Sequence, residues 1–241
     1  MIKALVAFVG LLAPAIAGTT DDHHPDSAYL SYGEGFAPYT AKLTAKDSSG
    51  RAIQASATLI ADTWALTAAH VVQGATSFEV DDVPVLRVYI HPDFDDDRVG
   101  WNDIAMLESS QPFGRSFYPP LATGRESIGQ TVSIAGYGVH GRLSVGHTES
   151  DGRLRAGTNT IARFERTIIV CHAGRMTSPL ELCISPGDSG GPLFCNGALT
   201  GINSFTMADK GPLRSRAGEE SGHTRVSLYR EWIGTVMEVG E

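Results

Sequence analysis

The sequence predicts an all-β fold, a sandwich or barrel of short strands, with one C-terminal helix. Three observations carry that expectation. Short runs rich in β-branched and apolar residues recur along the chain, bounded by turn signals rather than alternating with helical patterns. Gly 27 and Pro 12 in 241 residues supply many turns. From Ser227 to Val239, Leu228, Trp232, Ile233, Val236 and Met237 recur at offsets of three and four, which makes an amphipathic helix. An apolar share of 42% against 19% charged residues fits a chain with a core and excludes a disordered one.

Taken in order, Met1–Ala17 reads as a secretory leader. Lys3 gives the positive start, Ala4–Leu12 the apolar stretch, and Ala15-Ile16-Ala17 the small-residue cleavage site behind Pro14. The stretch is too short for a comfortable membrane span of about 20 residues. Cleavage there starts the mature chain at Gly18 and places it outside the cytoplasm, extracellular or periplasmic. Residues 18–38 are polar and turn-rich and read as an extended entry segment. From Tyr39 the strand signals follow: Ala55–Ile60, Val85–Ile90, Thr131–Ile134, Thr167–Val170 and Gly197–Ile202. Turns fall at Ser48-Ser49-Gly50, His91-Pro92-Asp93, Ser185-Pro186-Gly187 and Ala217-Gly218. With neither an internal repeat nor a Pro/Ser linker, 39–241 reads as one continuous domain.

Charge and cysteine content exclude several functions. Lys+Arg 19 against Asp+Glu 27 leaves a net charge of −8. The arginines of the Gly-rich middle, Arg142, Arg153, Arg155 and Arg163, lack aromatic interleaving. Neither nucleic acid nor an anionic membrane is therefore an expected partner. The 3 cysteines lack zinc-knuckle spacing. Asp93–Asp97 lacks the glycine and terminal glutamate of a calcium-binding helix-loop-helix and reads as a solvated loop. Asp21-Asp22-His23-His24 reads as a polar terminus. No metal and no cofactor is expected.

The chemistry concentrates in Gly187-Asp188-Ser189-Gly190-Gly191-Pro192. A serine hydroxyl is a weak nucleophile at neutral pH and needs a base beside it and donors for the developing oxyanion. Flanking glycines permit backbone geometries closed to other residues and let a carbonyl approach main-chain N–H groups. The base candidate is His70, after the apolar run Trp64-Ala65-Leu66, at the end of a buried strand. The orienting acid candidate is Asp103, just before Ile104-Ala105-Met106-Leu107. Each alone has a bland structural reading. Their order, His, Asp, Ser, in one chain with an export signal does not.

On these residues the chain resembles the chymotrypsin/trypsin-like serine endopeptidases, especially their bacterial secreted members. The likeness covers about residues 39–237. Its anchors are Leu66–His70, Asn102–Leu107, Gly136-Tyr137-Gly138, Gly187–Pro192, Gly201–Phe205, Thr224–Ser227 and Glu231-Trp232-Ile233. The resemblance implies two packed six-stranded antiparallel β-barrels, dividing near residue 125, with a C-terminal helix and the active site between them. It implies His70, Asp103 and Ser189 as the catalytic residues and the N–H groups of Gly187 and Ser189 as the oxyanion hole. Ser204, Phe205 and Thr206 would bind substrate as an added strand. It also pairs Cys171 with Cys183 in a disulfide and leaves Cys195 a buried free thiol. The implied protein is a monomeric enzyme whose partner is a protein or peptide substrate.

Some features depart from that pattern. The digestive members pair a new Ile-type amino terminus with the Asp before the nucleophile. Here that Asp is Asp188, but no such terminus exists, and no Lys or Arg lies between Gly18 and Ala41. A buried carboxylate is costly without a partner, and the candidates are the Gly18 ammonium, His23 and His24. The specificity pocket is less readable, because only Ile184, Ser185 and Pro186 separate Cys183 from Gly187. Thr206 replaces a wall glycine. Glu219 and Glu220 would favour a basic P1 residue, and His223 an acidic one. Two other functions compete: a catalytically silent homologue acting as a binding module, and an α/β-hydrolase. The second wants its histidine after the serine.

Overall fold

The chain enters on a short strand, β1 (Thr19–Thr20), and turns into a helix, α1 (Asp26–Glu34). The computed structural model describes residues 18–149, 151–208 and 211–240; the leader reading for Met1–Ala17 lies outside the described residues. The helix corrects the expectation of an extended segment over 18–38. It lacks a side-chain N-cap, and no local pattern announces it. Tertiary contacts hold it instead. Tyr29 is fully buried, its hydroxyl donating to the Glu181 carbonyl and accepting the Asp21 N–H. Arg155, also buried, forks onto Asp26 and again onto Asp151. Intrinsic propensity is a weak prior that contacts of this kind override.

The first barrel is built from β2 (Thr40–Lys46), β3 (Ala52–Ala61), β4 (Trp64–Thr67), β5 (Ser77–Val80), β6 (Val83–Ile90) and β7 (Ala105–Ser109). A one-turn helix, α2 (Ala69–Val72), follows β4. The strand order is β2-β3-β4-β7-β6-β5, closed by antiparallel pairing of β5 with β2, Val80 opposite Leu43. Inward residues alternate along β2, where Ala41, Leu43 and Ala45 are buried and Lys42 is exposed.

The second barrel uses β8 (Thr131–Gly136), β11 (Arg155–Glu165), β12 (Ile168–His172), β14 (Pro192–Cys195), β15 (Ala198–Met207) and β16 (Glu220–Arg225). Its order is β11-β12-β16-β15-β14-β8, with β8 and β11 closing the ring. The remaining strands, β9 (His140–Arg142), β10 (Gly146–Glu149) and β13 (Leu182–Cys183), join β1 in a small sheet ordered β10-β9-β1-β13. A 3₁₀ turn over Val226–Leu228 leads into α3 (Arg230–Gly240), where the sequence places its terminal helix. The five strand signals each match a strand of a barrel, with Thr167 and Gly197 each one residue ahead of their own.

The seam between the barrels explains the two most apolar stretches. In β4, Ala65 faces the first barrel's core while Trp64 and Leu66 join a second cluster. Around β7, Ala105 and Leu107 face that core and Ile104 and Met106 face outward. The outward set meets Phe194, Leu199, Ile202 and Val226 of the second barrel and Ile233 and Val236 of α3. Strands buried on both faces read as unbroken apolar runs rather than alternating ones.

The cysteines correct another expectation. Cys171, Cys183 and Cys195 are all buried free thiols, so the Cys171–Cys183 disulfide is not formed. Cys171 lies in the second barrel's core with Tyr29, Val132 and Ile161. Leu182 and Ile184 point into that core, but Cys183, between them, turns away to Leu143 and Ala173. Burial pushes both thiol pKa values up. Titration of the denatured, unreduced protein is expected to find three reactive thiols; one is the count a bridge would leave.

Candidate active site

Antiparallel pairing of β4 with β7 sets Thr67 opposite Ala105, so the end of one strand meets the start of the other. His70, on α2 just past β4, and Asp103, just ahead of β7, are thereby brought to one edge of the seam. His70 is thus on a helical turn one step beyond the strand end that its sequence context suggests. Its N–H donates to Asp103 Oδ1 at 2.9 Å, and its Nδ1 lies 2.7 Å from Oδ2. Asp103 is 1% exposed. The Ser204 hydroxyl donates to its Oδ2, and the Thr224 hydroxyl to its carbonyl. Asn102, held at φ 49°, accepts from the Tyr229 hydroxyl and donates to the Asp93 carbonyl, fixing the approach to the acid.

Ser189 comes from the other barrel, just ahead of β14. Two residues of β3, which the sequence marks only as part of a strand, fasten its turn across the seam. Ser56 donates its N–H to the Ser189 carbonyl and its hydroxyl to the Gly187 carbonyl, each at 2.9 Å. Thr58 donates its hydroxyl to the Gly190 carbonyl at 3.0 Å. Ser189 Oγ is then 3.1 Å from His70 Nε2. The three side chains singled out in the sequence form one continuous hydrogen-bonded chain.

Electrostatics sets the protonation states. Burial alone would lower the His70 pKa, but the charge and hydrogen bond of Asp103 outweigh it and hold it above the ordinary histidine value. Burial pushes the Asp103 carboxyl up, yet His70 and the Ser204 hydroxyl bring it below the usual carboxylate range. Asp103 therefore stays charged and accepts the Nδ1–H, which leaves Nε2 unprotonated and facing Ser189.

Two backbone N–H groups of the turn are aimed by their carbonyl partners. The Pro186 carbonyl accepts from Val139 N–H at 2.7 Å. In a trans peptide the N–H points opposite the carbonyl, so the Gly187 N–H faces away from Val139. The Asp188 carbonyl accepts from Gly191 N–H and Asn203 Nδ2, which turns the Ser189 N–H outward in the same way. Gly187 sits at φ +95° and Gly190 at φ +87°, conformations that tolerate few other residues.

The buried Asp188 carboxylate is met by Gly18, not by a histidine. Gly18 N donates to Asp188 Oδ2 at 2.9 Å and to Ser185 Oγ at 3.1 Å. The N–H groups of Ser185 and Gly138 donate to the carboxylate at 2.8 Å each, and the Ser185 hydroxyl lies 3.3 Å from Oδ2. His23 and His24 pair with Asp21 instead. Burial raises the Asp188 carboxyl to about 6, against the pull of these donors. Ser204, Phe205 and Thr206 lie on β15, and the Ser204 carbonyl is 3.5 Å from Ser189 Oγ. Among the described residues no cluster of His, Cys, Asp and Glu is placed to hold a metal ion.

The trypsin family model matches residues 31–233. The chain belongs to the trypsin family. Among its relatives are duodenase-1 of Bos taurus, 28% identical across 83% of this chain and 84% of that protein. Trypsin I-P1 of Gallus gallus is 27% identical across 97% of each chain. Kallikrein-11 of Mus musculus is 31% identical across 75% of this chain and 72% of its own. Solved structures share the fold. HL collagenase superposes with a TM-score of 0.68 at 23% identity, over 83% of this chain and 94% of that one. Neuropsin, a serine protease of mouse brain, gives 0.66 at 22% over the same shares. The trypsin-family assignment makes the chain a serine-type endopeptidase. The three sequence relatives come from cattle, chicken and mouse, so the narrower likeness to bacterial secreted members is not supported.

Proposed function

We propose that the chain is a secreted serine endopeptidase, with residues 39–241 as its peptidase domain. One observation carries the mechanism: the unbroken path from Asp103 through His70 to Ser189. In that path His70 Nε2 takes the Ser189 hydroxyl proton as Oγ attacks the scissile carbonyl. The oxyanion is received by the N–H groups of Gly187 and Ser189. His70 then gives the proton to the departing amine, whose C–N bond breaks, and an acyl group is left on Ser189. Water enters and bonds to the acyl carbon as His70 removes its proton, and the ester bond breaks as His70 returns that proton to Ser189 Oγ. Asp103 holds the imidazole in the Nδ1–H tautomer and stabilises the imidazolium. Ser204–Thr206 supports the substrate backbone as an added strand.

The direct test is a fluorophosphonate probe on secreted protein, followed by peptide mapping. Covalent modification at Ser189, lost in His70→Ala, is expected. Absence of modification in intact, folded protein sinks the hydrolase reading and leaves a silent homologue.

Gly18 enters the same proposal as the mature first residue. A cut after Ala17 turns its amide donor into an ammonium 2.9 Å from Asp188 Oδ2. Glycine suits the position, since a Cβ there would meet the Leu182 side chain at 2.9 Å. Removal of the leader then supplies the cation that a separate activation cleavage supplies in the digestive relatives.

A further inference from the structure

The space beside Ser189 that receives the residue before the scissile bond has its charges already spent. Asn203 is paired with His223 and Thr206 with Ser221 across β15 and β16. Directly opposed residues share a face, and so do residues two apart on one strand, so these four side chains look the same way. That face lies under the nucleophile turn, because Asn203 Nδ2 donates to the Asp188 carbonyl. Moving outward from Asn203, the face continues as Thr206 and Ser221. Across from it runs Cys183–Gly187, which leads into Ser189. The Thr19 hydroxyl donates to the Ser215 carbonyl, and Thr19 pairs with Cys183, so the far ends of the two walls are tied together.

Among the described residues, Glu219, Glu220 and His223 are all occupied. The Glu219 carboxylate accepts the N–H groups of Arg214 and Ser215 and pairs with Arg216. Glu220 is forked by Arg163 and contacts His172. His223 is fully buried. Asn203 commits its amide hydrogens to the Ala135 and Asp188 carbonyls, so its Oδ1 accepts from His223 Nδ1, and His223 Nε2 accepts the Ser221 hydroxyl. Both nitrogens of a neutral imidazole are thereby satisfied, and burial lowers the pKa to about 3. What faces an incoming side chain is the Thr206 hydroxyl and methyl and the Ser221 oxygen, both small and uncharged. A charged guest placed there would lose its water without gaining a counter-ion.

We propose that this protease cleaves after small uncharged residues (Ala, Ser, Thr, Val), with Thr206 setting the length limit. The inference rests on the endopeptidase reading and deepens it. A peptide library digested with the secreted protein and read by mass spectrometry is expected to show kcat/KM after Ala, Ser or Val at least about 50-fold above that after Phe, Arg or Glu, within the range that pocket contacts supply. Thr206→Gly should raise cleavage after Leu and Phe at least about tenfold, while Thr206→Val, which keeps the bulk, should retain the small-residue preference. Fluorophosphonate modification of Ser189 reports on the catalytic centre independently of P1. Modification together with dominant cleavage after Lys, Arg, Glu or Asp overturns the pocket inference alone. So does a Thr206→Gly enzyme that is modified normally but has an unchanged profile, or a Thr206→Val enzyme that admits Phe. Neither modification nor cleavage overturns both readings.

Discussion

Ser189→Ala is expected to lower kcat by about 10⁵–10⁶-fold, and adding His70→Ala to it is expected to cost almost nothing more. In the proposed mechanism the hydroxyl, 3.1 Å from Nε2, accepts the acyl group, and the imidazole's part is to move that hydroxyl's proton. Once either is gone, the other has no step to perform, so their effects do not add. The residual rate reports backbone donors and binding alone. Steady-state kinetics on an oligopeptide, with circular dichroism to verify the fold, checks both claims. A double variant slower than the singles by the product of their effects would show that the two residues act separately. The acidic limb of the pH profile follows from the same geometry. His70 must be neutral to act as base, and Asp103 holds its pKa above the ordinary value. Activity should therefore rise with pH through a midpoint above about 6.5, and Asp103→Asn should move that midpoint down as it lowers the rate.

Parts of this arrangement can be read from the residues and parts cannot, and burial separates them. Trp64–Thr67 and Ile104–Leu107 stand out because the seam strands are buried on both faces, so the chain flanking His70 and Asp103 is marked by its apolarity. Gly136 and Gly138 are equally legible, as two glycines around one tyrosine. The structure supplies their reason: a Cβ on either would lie within 2.5 Å of the Asp188 carboxylate group. Closure of the barrels is not local. It depends on pairs such as Leu43 with Val80 and Arg155 with Gly136, and the residues alone do not choose between sandwich and barrel. Helix α1 escapes notice because Arg155, far along the chain, holds its first turn. Ser56 and Thr58 escape for a related reason. On a strand they look like ordinary β residues, and their role exists only when the second barrel's turn is laid against them. The cysteine pairing implied by the family likeness fails on pleat parity, which sends Cys183 to the opposite side from Leu182 and Ile184.

A chain that begins with an extra residue ahead of Gly18 is expected to lose about 10²–10³-fold in kcat/KM, and trimming back to Gly18 should restore it. With only the uncharged donors of Gly18, Gly138 and Ser185, burial holds the Asp188 carboxyl at about 6. A cation at 2.9 Å offsets that penalty, and leaving a buried charge without its partner costs about 3–5 kcal/mol. The loss reaches catalysis because Asp188 is bonded into Gly138 and Ser185 and precedes Ser189 directly. A slack Asp188 would let the Ser189 N–H turn away from the oxyanion position of the proposed mechanism. The pH dependence has a definite sign. Pairing raises the ammonium's pKa in the folded protein above its ordinary value of about 7.7–8.0. Its stabilisation is therefore complete below that value and is lost as pH rises through the folded pKa, giving an alkaline limb to activity. N-terminal sequencing of active protein, with pH profiles of the Gly18 and extended forms, tests the scheme. An active protein that starts well beyond Gly18, or an extended form as fast as the trimmed one, would assign the partner of Asp188 elsewhere.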